Sequence, residues 1–157
     1  SGLEVQTPNA LLHGELEFDY AVFPHPGASD AVALHANYFN APMITVQTNQ
    51  HPGIGDNMDS SIDISPSCLT FSCLKKAERE NALILRIYNS SYEEVKKGKI
   101  RLGKNFGNLK IVNLNEQPVT DNYLEFIDGF WYLPALKSNQ ILSLKISAVK
   151  SINKDQI

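Results

Sequence analysis

From Gly14 to Phe23, apolar Leu16, Phe18, Tyr20 and Val22 alternate with Glu15, Glu17, Asp19 and Ala21, the period of a half-buried strand. Pro24-His25-Pro26-Gly27 ends that run, because proline has no N–H to offer a ladder and glycine favours a turn. Ser29 or Asp30 then stands where a helix cap belongs. Val32, Ala36 and Phe39 lie along one side and Pro42 follows, which predicts a short helix through Asn40. Met43 to Thr48 reads as another strand. Asn49 to Ser61 is rich in Gly, Asn, Asp and Ser and reads as a loop, so a boundary falls between 1–50 and 51–157.

The second half is a succession of short strands: Cys68 to Lys75, Ala82 to Asn89, Lys96 to Leu102, Leu109 to Leu114, Phe130 to Pro134 and Gln140 to Val149. Glu78 to Asn81, Ser90 to Glu94 and Gly103 to Gly107 supply turns between them. Strands this closely spaced predict an all-β, antiparallel β-sandwich with one short helix. The last strand carries Leu142, Leu144, Ile146 and Ala148 on one face and Ser143, Lys145 and Ser147 on the other. Ala82 to Tyr88 is apolar on both sides except for Arg86, which places it at the centre of a sheet with both faces covered. Ser151 to Ile157 reads as a frayed polar tail.

Composition narrows the partners. At 157 residues the chain can bury a sizeable core. Its net charge of -3 offers no basic field for a phosphate backbone, so no nucleic acid is expected. No apolar stretch reaches the roughly 20 residues that cross a bilayer, so no membrane partner is expected either. The lack of an initiator Met suggests that the chain begins inside a longer one. Cys68 and Cys73 are an odd number of residues apart in one strand, so they point to opposite faces and do not bridge. Two buried thiols suit a reducing, cytoplasmic setting, and the sequon Asn89-Ser90-Ser91 is read as a chance occurrence.

No catalytic or metal-binding residue is expected from the spacing. His13, His25, His35 and His51 are scattered, and Asp56, Asp59 and Asp63 lack the alternating positions and closing Glu of a calcium loop, so they read as a solvated linker. Glu15, Glu17 and Asp19 line up along a strand, whereas glycoside hydrolysis needs two carboxylates about 5 Å or more apart across a cleft. Neither a Gly-x-Ser-x-Gly elbow nor a phosphate loop is present. Three residues stand out. His25 sits in a stiff turn between two prolines, where a ligand or neighbouring domain can use its ring. Arg86 lies in an apolar strand and must find a carboxylate, backbone carbonyls or a partner across an interface. Trp131 is a candidate to stack on a sugar ring, although Phe130-Trp131-Tyr132 reads better as ordinary core alternation.

The order of several segments resembles the C-terminal β-sandwich region of glycoside hydrolase family 38, the α-mannosidases. The residues are Leu12-His13-Gly14, Phe18 to Gly27, Tyr38-Phe39-Asn40-Ala41-Pro42, Ser65 to Ala77, Leu83 to Asn89, Leu114-Asn115-Glu116 and Ile141 to Ile146. The resemblance implies a parent that is a retaining, metal-dependent α-mannosidase acting on terminal mannosides. Its zinc or other divalent metal and its nucleophile would lie in an N-terminal catalytic α/β domain. This chain would then be an accessory fragment without a cofactor of its own, inactive alone and packed against that domain. Residues 1–50 would be the end of a larger supersandwich (galactose-mutarotase-like) region, and 51–157 the C-terminal sandwich. His25 and Arg86 become candidates for domain docking or for the edge of the substrate cleft. Short loops fit a bacterial, cytoplasmic enzyme. Two other readings remain: a carbohydrate-binding module with Trp131 on its surface, and an unrelated β-sandwich interaction domain.

Overall fold

A computed structural model describes residues 14–27, 29–50, 52, 60–104, 106–119 and 123–148. Helix α1 (Ser29–Asn40) is followed by eight strands: β1 (Ile62–Ser65), β2 (Leu69–Lys76), β3 (Ala82–Asn89), β4 (Lys99–Leu102), β5 (Phe106–Val112), β6 (Glu125–Ile127), β7 (Phe130–Tyr132) and β8 (Ile141–Ala148). They form two four-stranded sheets, ordered β1-β4-β7-β6 and β2-β3-β8-β5, and every strand pair is antiparallel. The fold is therefore an all-β sandwich with one short helix.

Alternation in the strands builds the core. Leu85 and Ile87 of β3, Leu142, Leu144 and Ile146 of β8 and Leu109 and Ile111 of β5 turn inward from one sheet, and Ile100 of β4 meets them from the other. Leu85, Ile87, Leu144 and Ile100 are fully buried. Pairing fixes this arrangement: Leu85 lies opposite Leu144 and Ile87 opposite Leu142, so a slip of one residue would turn the whole apolar set outward. The outer face of β3 is covered as well. Ala77, Ala82, Ile84 and Val112 make a second, smaller buried cluster there.

Several expected elements differ. Residues 15–23 and 43–48 have no regular secondary structure and pair with no strand among the described residues, and Phe18, Tyr20, Val22, Met43 and Ile44 are at least 79% exposed. Alternation reports a strand with one dry side; it does not say that the sheet covering that side is in the same chain. β1 begins directly after the loop read from Asn49 to Ser61, and Asp63 is one of its residues, opposite Arg101 of β4 and ion-paired with it, not part of a solvated linker. Asp56, Asp59, His13, His51 and the tail Ser151 to Ile157 lie outside the described residues. β6 was not expected. It pairs with β7 through a turn at Asp128 (φ 51) and Gly129 (φ 83), the two positive-φ residues that a tight hairpin of this hand requires. The Lys96 strand starts later, at Lys99, and the Leu109 strand earlier, at Phe106.

Candidate functional site

The turn at His25 is joined to α1 by rings. His25 Nδ1 accepts a hydrogen bond from the Gly27 N–H (3.2 Å), and Gly27 takes φ 105, a conformation open to glycine. That bond requires His25 to carry its neutral proton on Nε2. The Phe23 ring stacks at 6.3 Å from His25 and lies tilted at 4.2 Å from His35 of α1, and Tyr38, one turn further along the helix, meets His35 edge-on at 6.2 Å. All four rings are exposed. The sequence singled out His25 alone. His35 and Tyr38 join it because residues three apart share a helix face. Asn37 on the same helix donates from Nδ2 to the Phe71 carbonyl of β2 (3.2 Å), beside the bulge where β2 shifts register against β3, and this ties α1 to the sandwich.

Arg86 projects from the outer face of β3, between Cys73 of β2 and Ser143 of β8. Above it folds the turn 113–117. Asn113 holds that turn closed by accepting at Oδ1 from the N–H groups of Asn115 (2.9 Å) and Gln117 (3.0 Å), which puts Glu116 at φ 65. Arg86 Nη2 donates to the Leu114 carbonyl (3.1 Å). Glu116 Oε2 accepts from the Glu78 N–H (2.8 Å), and its Oε1 pairs with Lys75 Nζ (2.5 Å). Three contacts thus pin the turn to the sheet. The Lys75 ammonium, then the Glu78 N–H, and at longer range the Arg86 charge hold the Glu116 carboxyl below its ordinary value, and Glu116 in turn raises Lys75. Arg86 therefore finds a backbone carbonyl directly and a carboxylate only at a distance. Its Nε is buried with no hydrogen-bond partner, as is the Oγ of Ser143 beside it.

Trp131 faces the interior of the sandwich. It lies opposite Ile100 in register, packs against the core and tilts over Phe126 at 4.8 Å between ring centres. The indole is half-buried, so its faces are not an open platform for a sugar ring. On the outer side of the same strand Phe130 carries Lys99 Nζ at 4.3 Å from its ring centre.

Among the described residues no group of three or more His, Cys, Asp or Glu is placed to hold an ion, and the rings of His25 and His35 flank Phe23 instead of converging. Cys68 and Cys73 are both free thiols. Asn89 of the sequon is fully buried, with its Nδ2 donating to the carbonyls of Glu93 (2.7 Å), Leu136 (3.0 Å) and Lys137 (3.1 Å), a geometry incompatible with a glycan at that nitrogen. No described helix is long and apolar enough to cross a membrane.

No curated protein and no solved structure matches this chain. A family model does: the glycosyl hydrolases family 38 C-terminal beta sandwich domain matches residues 69–151, more than half of the chain and the stretch that runs from β2 through β8. With every strand of the two antiparallel sheets except β1 inside that stretch, the chain belongs to glycosyl hydrolase family 38, of whose enzymes it carries the C-terminal β-sandwich.

Proposed function

We propose that this chain serves as the accessory C-terminal sandwich of a retaining, metal-dependent α-mannosidase that removes terminal mannosides in the cytoplasm. Bond cleavage and the zinc or other divalent metal belong to the catalytic α/β domain of the whole enzyme. The observation that carries the reading is the match of residues 69–151 to the C-terminal sandwich of this family.

A second observation supports docking. Residues 15–23 and 43–48 keep the apolar alternation of strands yet leave Phe18, Tyr20, Val22, Met43 and Ile44 exposed. Apolar strips of this kind are normally covered. In this reading 1–50 completes a neighbouring β-layer of the parent, 51–157 is the sandwich proper, and the His25 turn with its ring cluster lies where the two meet.

Reconstitution tests the proposal. A catalytic portion made without this chain is expected to be unstable or inactive on an aryl α-mannoside, and to regain activity when the chain is added. A catalytic portion that is stable and fully active alone would overturn it.

A further inference from the structure

We draw no further inference here: the strongest candidate, the outer face of the β1-β4-β7-β6 sheet, where Tyr132 stands in register between Lys99 and Glu125, carries nothing because no feature of the structure shows what covers it.

Discussion

Asn89 donates through Nδ2 to the Leu136 carbonyl at 3.0 Å, joining the end of β3 to the segment that leads into β8 at a point with no exposure to solvent. The same amide group serves two more carbonyls, and its Oδ1 accepts from Ser91 N–H (3.0 Å) and Oγ (2.8 Å). Every hydrogen-bonding capacity of the side chain is used to order the loop 90–95. Replacing it strands several buried carbonyls at once. Asn89→Ala is expected to lower the unfolding free energy by about 3 kcal/mol in urea titrations, and Asn89→Asp, which cannot donate, to be comparably damaging. A loss under about 1 kcal/mol would show that water replaces the network.

Gly107 and Gly98 make a graded pair. A Cβ on Gly107 would stand 2.5 Å from the backbone carbonyl oxygen of Ser147 in the neighbouring strand β8, beside the irregular pairing between Phe106 and Leu109. Backbone inside a sheet cannot step aside cheaply. Gly107→Ala should therefore cost about 1–3 kcal/mol. A Cβ on Gly98 meets the tip of Leu69 at 2.6 Å, a side-chain end that can turn away. Gly98→Ala is expected to cost less, and thermal melts of the two variants should rank them in that order.

Two carboxylates contribute to the acid limb of stability. Asp63 is lowered by the Ser60 hydroxyl, whose other acceptor in reach is the Ile62 carbonyl, and by the Arg101 guanidinium opposite it in the sheet. Glu116 is lowered by Lys75 and the Glu78 N–H. Both are depressed from the ordinary carboxyl values of 3.8 and 4.5, so the unfolded chain binds more protons in that range. Their contribution is complete above those values and is lost as pH falls through the lower, folded ones. Lys75 is raised above 10.5, so its contribution is complete below that value and fades as pH rises past it. Glu116→Gln should flatten the fall of Tm below about pH 4.5 relative to the parent chain, and also the fall on the alkaline side.

The exposed strip at the N-terminal end predicts association. With Phe18 79% and Tyr20 88% exposed, the chain by itself should self-associate as its concentration rises. The double substitution Phe18→Ser and Tyr20→Ser should reduce the apparent mass in light scattering without lowering Tm, because neither ring belongs to the sandwich core. A concentration-independent monomer in the parent chain would count against this.

How far the fold could be read depended on where each pattern finds its partner. β3 was expected from Ala82 to Asn89 and has those bounds, because a run apolar on both faces has no place but the middle of a covered sheet. Its one discordant residue, Arg86, announced the need for a partner. That the partner would be the Leu114 carbonyl was not legible, since the turn that supplies it is held by Asn113 and Lys75, from different parts of the chain. β6 was legible and overlooked: Phe126-Ile127 followed by Asp128-Gly129 and an aromatic run is a hairpin signal. The strands read from Gly14 to Phe23 and from Met43 to Thr48 do not form among the described residues, because an apolar alternation alone supplies no strand to pair with. The ring cluster around His25 was hidden because Phe23 and His35 are distant in sequence and meet only once α1 folds back beside the proline turn.

In the proposed role this chain supports an α-mannosidase without cleaving bonds itself. The most direct measurement is hydrolysis of an aryl α-mannoside by the purified chain with zinc supplied, against a heat-killed control. No turnover above that control is expected. Zinc-dependent release that follows the folded chain through purification and disappears on denaturation would contradict it.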